Sequence, residues 1–302
     1  MFINSKHLLE PSSTSEKVVI NLTTNSFNVI DPDYLIFHYT ATDNATSPIS
    51  WFKNNTTNTD KIAAHIVLDV DGTITQMVAF NKRANHAGYS TWDGVDGMNQ
   101  HAIGIELVNP GFVEQLPDGS FRREVGRNAA NKPIYKTYPA SIAPKLVQAQ
   151  HKNKFLAGAS AAYWFAYPQA QLTALYALSK LLIQHYQLVQ ALGHDDVSPV
   201  RKPDPGPAFN WAQFKQYVLG STNTIGNIYL VVTTDFAAFR TAPSTNSVII
   251  KKLTNGYEVG IIETVGTWCK VYLAQQKAEM IENGRCVKKI GWIHSSLLIP
   301  KP

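Results

Sequence analysis

The first two hundred residues alternate between short apolar runs and polar connections, a pattern that predicts interleaved strands and helices. Tyr34 to Thr40 is an almost continuous apolar run, typical of a buried strand. Ala64 to Val70 and Thr73 to Val78 predict two further strands joined by an Asp71-Gly72 turn, which is a strong hairpin signal. Another apolar strand is predicted from Ile103 to Val108.

One long helix is predicted after these strands. Apolar side chains recur at helical spacing from Leu172 to Tyr186, and Pro168 stands just before the first turn. A short strand from Val189 to Leu192 then leads to His194. Strands interleaved with helices predict the α/β class, with a mixed β-sheet flanked by helices and a site at the strand ends.

Two stretches of this region carry no clear periodic pattern. Asp43 to Asp60 is rich in Ser, Thr and Asn and is predicted to be a loop. The segment 112–167 is long for a connection inside a compact domain, and such segments are usually functional or contain small elements of their own. Two interpretations of it stand side by side: a surface excursion with short helices, or a groove wall that selects peptide or glycan.

A change of composition near residues 220–226 predicts a linker to a second domain. Beyond it, strand-like runs separated by turn residues predict a small all-β unit. The predicted organisation is an N-terminal extension over 1–29, a first domain over 30–219, a linker over 220–227 and a second domain over 228–302. The predicted strands of the second domain are Ile228 to Thr233, Ser247 to Leu253, Tyr257 to Thr264, Trp268 to Leu273 and Gly291 to His294.

Composition agrees with a soluble protein of two domains. The 302 residues are 44% hydrophobic and 16% charged, and no apolar run approaches the ~20 residues that a membrane helix needs. The first thirty residues are polar, without the apolar core of a secretory signal, so no export address is expected. A net charge of +5 favours anionic partners, but no nucleic-acid-binding pattern is present, so nucleic acid is not expected.

The stretch from Gly193 to Gly206 holds the strongest chemical signal. It brings His194, Lys202 and Asp204 into a proline-rich loop that is predicted not to be helical. A catalytic zinc takes three protein ligands, commonly imidazole and carboxylate, and His38 at the end of an apolar run offers the third. Glu106 lies in an otherwise apolar strand, where a carboxylate is costly unless it is paired or functional.

Five motifs stand in order along residues 30 to 212, and together they resemble a known family. They resemble the zinc-dependent N-acetylmuramoyl-L-alanine amidases of the amidase-2 family, relatives of the peptidoglycan recognition proteins. The second domain resembles bacterial Src-homology-3-like domains, which often accompany wall hydrolases as binding modules; its motifs are Phe239 to Ser247, Trp268 to Val271 and Gly291 to Leu298. The five motifs of the first domain are Phe37-His38-Tyr39-Thr40, Ala64-His65-Ile66-Val67 with Asp71-Gly72-Thr73-Ile74, Asn85-His86-Ala87-Gly88, Gly104 to Asn109, and the Gly193 to Gly206 loop.

The resemblance implies a role for each residue of the site. Zn²⁺ is expected on His38, His194 and Asp204. Glu106 is expected to act on the water that zinc activates, and Lys202 to stabilise the oxyanion, with a surface lysine as its alternative. His86 is expected to contact substrate and His65 to be structural. Asp196 either orients a ligand or caps the loop.

The remaining histidines have no motif, and we expect ordinary structural or surface roles for them; they are His7, His101, His151, His185 and His294.

The expected function is hydrolysis of the amide between N-acetylmuramic acid and L-alanine in bacterial peptidoglycan, which would also be the ligand of the second domain. The alternative is a peptidoglycan-binding recognition protein without catalysis, and the complete ligand set with Glu106 argues against it. A cysteine peptidase is not expected, because Cys269 and Cys286 both lie in the second domain; a disulfide between them is left open. The protein is expected to act in the bacterial cell envelope as a monomer, and its biological role, from phage lysin to secreted effector or recycling enzyme, stays open.

Overall fold

The computed structural model describes residues 1–54, 61–92, 95–153, 162–188, 190–219, 228–273, 281–282, 285–286 and 290–301. The chain divides into two compact units: the first takes in 1–92, 96–181 and 190–210, and the second is built around 211–302. None of the helices in these ranges is long and apolar enough to cross a membrane. The predicted linker, 220–227, lies outside the described residues.

Most of the regular structure in the first 219 residues is β-strand. The strands are β1 (Phe2–Ile3), β2 (Leu9–Glu10), β3 (Val18–Ile20), β4 (Tyr34–Tyr39), β5 (Ile66–Leu68), β6 (Ile74–Gln76), β7 (Thr91–Trp92), β8 (Val95–Asp96), β9 (Ala102–Leu107), β10 (Phe112–Gln115), β11 (Phe121–Arg127), β12 (Pro133–Tyr138), β13 (Leu146–Ala149), β14 (Ala162–Phe165) and β15 (Gln190–Gly193). The helices are α1 (Thr46–Asn54), α2 (Gln169–Tyr186), α3 (His194–Val197) and α4 (Trp211–Leu219), with short 3-10 turns at Met98–Gln100 and Ala140–Lys145.

A six-stranded mixed sheet forms the centre of the first unit, in the order β15-β4-β9-β5-β6-β3. Strand β4 runs parallel to both β15 and β9, and its residues Tyr34 to Phe37 are fully buried. A parallel strand covered on both faces is expected to be apolar throughout, which explains the continuous run in the sequence. The mixed sheet and the antiparallel hairpin of β5 and β6 confirm the predicted fold class.

Helix α2 confirms the predicted long helix. It begins directly after Pro168 and buries Leu175 and Leu178 completely. The Gln171 side-chain amide donates hydrogen bonds to the carbonyl oxygens of Leu68, at 2.9 Å, and Val108, at 3.0 Å. These two bonds attach the first turn of the helix to the ends of β5 and β9.

The N-terminal residues pair with the central sheet. Strand β3 runs parallel to β6 and forms one edge of the sheet. Leu9 is fully buried, and its backbone N–H donates to Gln76 Oε1 at 2.7 Å. The residues predicted as an extension thus contribute both a strand and a core side chain to the first unit.

The prediction of a loop from Asp43 to Asp60 is wrong for residues 46–54, which form α1. Asn44 caps this helix, because its Oδ1 accepts a hydrogen bond from the backbone of Ser47 at 3.1 Å. Pro48 is tolerated in the first turn, where its missing N–H needs no partner. Phe52 is buried, so packing outweighs the weak helix preference of the Ser, Thr and Asn residues. Residues 55–60 lie outside the described part.

The segment 112–167 folds mainly as a second sheet, so the interpretation as a surface excursion with short helices is wrong for most of it, and the groove wall stays a prediction. Five antiparallel strands stand in the order β12-β11-β10-β14-β13, around a small core that includes Val113, Phe121 and Tyr138. Among its described residues, the one helical part is the 3-10 turn Ala140–Lys145. We call residues 112–153 and 162–167 the inserted sheet; residues 154–161 between them are outside the described structure.

The second unit contains the all-β structure that the sequence predicted. Its strands are β16 (Ile228–Val231), β17 (Ala237–Arg240), β18 (Ile249–Leu253), β19 (Glu258–Val265), β20 (Trp268–Leu273), β21 (Ile281–Glu282), β22 (Arg285–Cys286), β23 (Ile290–His294) and β24 (Leu298–Pro300). Seven of them form one sheet in the order β18-β17-β23-β20-β19-β16-β24, around a core that includes Phe239, Val271 and Ile293. Strands β17, β21, β22 and β24 were not predicted. Cys269 is buried in this unit as a free thiol, and the side chain of Cys286 is outside the described part.

Candidate metal centre

Three buried side chains converge at the carboxyl ends of the strands of the central sheet. His38 Nδ1 lies 2.8 Å from His194 Nδ1 and 3.1 Å from Asp204 Oδ2, and the last two atoms are 2.9 Å apart. His38 is near the end of β4, and His194 follows β15 directly. Since these strands are parallel neighbours, their carboxyl ends place the two imidazoles side by side.

The other ring nitrogens of the two histidines already have partners. His194 Nε2 lies 3.1 Å from the carbonyl oxygen of Ala87, which can only accept, so that nitrogen carries the proton. His38 Nε2 lies 3.0 Å from His86 Nδ1, and His86 Nε2 lies 3.3 Å from the carbonyl oxygen of Ala102. The carbonyl places a proton on His86 Nε2, so His86 Nδ1 accepts from His38. Both Nδ1 atoms of the cluster therefore present lone pairs to the centre.

The electrostatics keep His38 and Asp204 in the forms that a metal requires. Burial, and next the charge of His194, lower the pKa of His38 to about 4, so its ring is neutral at pH 7. Burial acts to raise the pKa of Asp204, but His194 and His38 outweigh it and hold that pKa below its usual value. A neutral imidazole and an ionised carboxylate are the ligating forms of these side chains.

These residues fit a zinc ion. Within the described ranges, His38, His194 and Asp204 form the group of three potential metal ligands, with their donor atoms close together and all three side chains buried. Two ring nitrogens and one carboxylate oxygen match the three protein ligands of catalytic zinc sites, which leave a further position open.

Glu106 stands next to this cluster. It pairs with His38 in the register of β4 and β9, so both side chains leave the same face of the sheet. Its Oε2 atom is buried and has no hydrogen-bond partner among the described residues. Burial, and next the charge of Asp204, raise the pKa of Glu106 to about 8, while Lys202 opposes them. A carboxyl group in this state is suited to accept and release a proton near neutral pH.

One cavity of about 1130 Å³ is lined by all six residues that were predicted from the sequence to form the site. His86 lines this cavity but is largely buried, and both of its ring nitrogens are engaged by protein atoms. Its hydrogen bond to His38 is a role that the sequence did not predict, while contact with substrate stays a prediction. The six residues are His38, His86, Glu106, His194, Lys202 and Asp204.

The loop from Gly193 to Gly206 is more ordered than predicted. Residues His194–Val197 form one helical turn, so the prediction of a wholly non-helical loop is wrong there; the prolines begin only at Pro199. Asp196 Oδ2 accepts the backbone N–H of Gly193 at 2.7 Å, which favours the loop-capping alternative for this residue. The Asp195 N–H donates to the Asp204 carbonyl oxygen at 2.8 Å and ties the two ends of the loop together.

Residues of the inserted sheet form hydrogen bonds with backbone carbonyl oxygens of this loop, a contact that the sequence did not predict. His151 Nε2 lies 3.0 Å from the carbonyl oxygen of Pro203, immediately before Asp204. On the other side of Asp204, the Tyr167 hydroxyl donates to the Pro205 carbonyl oxygen at 2.8 Å. Asn153 donates through Nδ2 to the carbonyl oxygen of Asp195 at 2.8 Å. We call His151, Asn153 and Tyr167 the loop clamp.

Two glycines allow close packing around the site. A Cβ on Gly104 would overlap the His86 ring, which lies directly against that backbone. Gly206 has a φ of +77°, and a Cβ there would stand 2.6 Å from the Trp164 ring.

His65 fits its expected structural role, because its Nδ1 accepts the Gly104 N–H at 3.0 Å and its Nε2 lies 2.8 Å from the Lys82 carbonyl oxygen.

The fold and the site define a mixed-sheet protein with a buried His-His-Asp cluster at its strand ends. The sequence profile of the N-acetylmuramoyl-L-alanine amidase family, amidase-2, matches residues 28–207, and the bacterial SH3 domain profile matches residues 235–299. This chain belongs to the amidase-2 family.

Two curated relatives show how far the similarity extends. The chain is 28% identical over 165 residues to the 1,6-anhydro-N-acetylmuramyl-L-alanine amidase AmpD of Citrobacter freundii, across 54% of this chain and 60% of that protein. It is 26% identical over 191 residues to the N-acetylmuramoyl-L-alanine amidase AmiD of Escherichia coli (strain K12), across 62% of this chain and 53% of that protein. The chain thus spans less than two thirds of the length of either relative. A crystal structure of a selenomethionine AmpD derivative aligns with a TM-score of 0.47 and 22% identity, over 72% of this chain and 99% of that one.

Proposed function

We propose that this protein is a zinc amidase that cleaves the bond between N-acetylmuramic acid and L-alanine in bacterial peptidoglycan. The observation that carries the proposal is the convergence of His38, His194 and Asp204 in one cavity, beside Glu106 with its buried Oε2 atom. Membership of the amidase-2 family and the similarity to AmpD and AmiD support the choice of bond.

The metal-site residues, Glu106 and Lys202 have distinct tasks in this reaction. Zinc, when bound by His38, His194 and Asp204, would polarise the scissile carbonyl and lower the pKa of water. Glu106 removes a proton from the attacking water and passes it to the departing amine of L-alanine. Lys202 lines the same cavity, where its ammonium group stabilises the negative charge that develops on the carbonyl oxygen.

The alternative, a recognition protein that binds peptidoglycan without cleaving it, explains the cavity less well. Glu106 Oε2 is buried without a hydrogen-bond partner among the residues that the structure describes, and such an atom lowers the stability of the fold. This loss of stability is expected where the carboxyl group takes part in a reaction. A protein that only binds peptidoglycan has no need of an unpaired carboxyl group there.

We propose a division of the chain into a catalytic domain over 30–219, a linker over 220–227 and a wall-binding domain over 228–302. The bacterial SH3 profile over residues 235–299 supports this role for the second domain. Binding of one domain to a polymer raises the local concentration of substrate for the other, which increases avidity without new catalytic contacts. The proposed site of action is the bacterial cell envelope.

Digestion of purified sacculi by the full chain tests the proposal. The zinc-loaded protein should release new amino termini of L-alanine without new reducing sugar ends, since the bond that breaks is an amide. A chelator should abolish the release, and added zinc should restore it. New reducing ends would show a glycosidase, full activity after verified metal removal would refute the metal-dependent mechanism, and binding without any release would favour the recognition protein.

A further inference from the structure

A second cavity, of about 630 Å³, lies between the end of β4 and the inserted sheet. It shares Tyr39 and Ala41 with the larger cavity that contains the His-His-Asp cluster. The two cavities therefore adjoin each other at Tyr39 and Ala41. We call this second cavity the side groove. Its aromatic lining comes from Phe112, Tyr135 and Tyr163 on three strands of the inserted sheet, and its polar lining includes Gln115.

The aromatic rings of the side groove pack against neighbouring side chains. Tyr135 keeps 43% of its surface exposed, and its ring packs against the Arg122 guanidinium at 4.3 Å. The rings of Phe112 and Trp164 lie 5.1 Å apart, and those of Tyr163 and Phe121 lie 5.3 Å apart. Rings that are already ordered lose little conformational entropy when a ligand stacks on them.

The charges in the side groove are already paired. Glu114 accepts two hydrogen bonds from Arg122, at 3.0 and 3.1 Å. Arg123 lies 3.6 Å from Asp43 and donates to the Tyr138 hydroxyl at 3.0 Å. Glu124, the second lining carboxylate, pairs with Arg127 at 2.9 Å. Both lining arginines and both lining glutamates thus have a partner of opposite charge.

This chemistry favours a neutral ligand over an anionic one. An acidic peptide would bind best to a cation that has no carboxylate partner. Both lining arginines already have a carboxylate partner, Glu114 for Arg122 and Asp43 for Arg123. A sugar presents an apolar ring face to aromatic side chains, and its hydroxyls can exchange hydrogen bonds with amide and ion-paired groups. A groove of this size, mostly apolar with a few fixed polar groups, is typical of small-ligand sites.

We propose that the side groove binds the glycan strand next to the cleaved residue, as a neutral, N-acetylated oligosaccharide. This inference rests on the proposed function, because it extends the same substrate along the sugar chain rather than along the peptide. The inserted sheet then acts as a groove wall that selects glycan, and the protein prefers muramoyl peptides embedded in a glycan chain over single muramoyl peptides.

Direct binding tests the side groove independently of catalysis. The probes are a β-1,4-linked tetramer of N-acetylglucosamine, which is neutral, and the acidic tripeptide L-Ala-γ-D-Glu-L-Lys, each titrated calorimetrically into the full chain. The variants are Tyr135→Ala, Tyr135→Phe and Ile134→Ala. Ile134 is the matched control, because it precedes Tyr135 on β12, is 47% exposed and does not line the groove.

Tyr135→Ala should weaken binding of the sugar tetramer about tenfold or more, a loss of roughly 1.4 kcal/mol, while Tyr135→Phe and Ile134→Ala bind as the parent does. Sugar binding that Tyr135→Ala leaves unchanged overturns the proposal, since the sugar then binds elsewhere, including on the second domain. Loss of tripeptide binding in Tyr135→Ala also overturns it, in favour of a peptide subsite.

Steady-state kinetics on two substrates provide a second test of the side groove. Tyr135→Ala should lower kcat/KM about tenfold on soluble glycan chains that carry stem peptides and leave kcat/KM on a single muramoyl peptide unchanged; Ile134→Ala should change neither. An equal loss on both substrates overturns the proposal. If the parent protein cleaves neither substrate, the proposed function fails, and the sugar titration still decides what the groove binds.

Discussion

His151 Nε2 lies 3.2 Å from Oδ2 of Asp195, the residue that follows the metal-site residue His194. The same nitrogen lies 3.0 Å from the carbonyl oxygen of Pro203, just before Asp204. His151 Nδ1 accepts the backbone N–H of Asn153 at 2.9 Å, so its proton sits on Nε2 and points at both acceptors. A residue from the inserted sheet thus holds the positions of two members of the cluster.

Replacement of His151 by alanine should therefore weaken zinc binding by about 10- to 100-fold, the usual effect of losing a group that orients a metal ligand. Competition against a chelator of known affinity measures the change. Partial rescue is expected for His151→Gln, because its side-chain amide can still donate to the Pro203 carbonyl. The control is His101→Ala, since His101 is also buried but precedes β9, at the end of that strand away from Glu106 and the metal site. Equal zinc affinity in His151→Ala and the parent would contradict the clamp.

Glu106→Gln should abolish turnover while zinc stays bound. Glutamine keeps the size of the side chain but cannot accept a proton from water, so kcat should fall by ~10² or more. Turnover of a muramoyl peptide and the zinc content of the same sample are the two measurements. Glu258→Gln removes a carboxylate that pairs with Lys301 in the second unit and serves as the control. A variant that keeps half of the parent kcat would remove Glu106 from the mechanism.

Glu106 should also make the metal-free protein less stable as the pH rises. Its pKa is raised from an ordinary 4.5 to about 8, so between these values the folded state holds a proton that the unfolded state has lost. The free energy of unfolding then decreases with pH, by at most about 1.4 kcal/mol per pH unit from this group. Urea unfolding of the metal-free forms should show Glu106→Gln and the parent equally stable near pH 4, and Glu106→Gln more stable near pH 9. A stability difference that does not change with pH would argue against a buried, protonated Glu106.

The inner strands of the central sheet were predictable because they are buried on both faces and therefore read as apolar runs. β4, β9 and the β5–β6 hairpin were found in this way, and the turn at Asp71-Gly72 marked the hairpin. Helix α1 was missed because its sequence is polar and its stability depends on the burial of Phe52. The inserted sheet was missed although β11 begins after a Leu116-Pro117-Asp118-Gly119 turn, because its exposed strands carry charged residues in place of a clear apolar alternation.

The residues of the site that stand in a sequence motif were predictable. Residues that reach the site only through tertiary packing were not. His38, Glu106, His194 and Asp204 stand in recognisable motifs. The parallel strands bring the first three together, and the loop after β15 brings Asp204 to them. His151 has no motif, and its partner Pro203 is 52 residues away along the chain. Only the packing of the inserted sheet against the loop gives this histidine its position.

His86 allows a clear test between two roles, because it hydrogen-bonds to His38 and also lines the cavity. If it positions His38, His86→Ala should weaken zinc affinity about tenfold or more, and the zinc-saturated variant should keep the parent KM. If it contacts substrate, zinc affinity should stay near that of the parent and KM should rise. We expect the first result, since both ring nitrogens of His86 are held by His38 and the Ala102 carbonyl oxygen and neither is left for substrate. Chelator competition and steady-state kinetics at saturating zinc separate the outcomes, and a raised KM with unchanged zinc affinity would show that His86 leaves these partners when substrate binds.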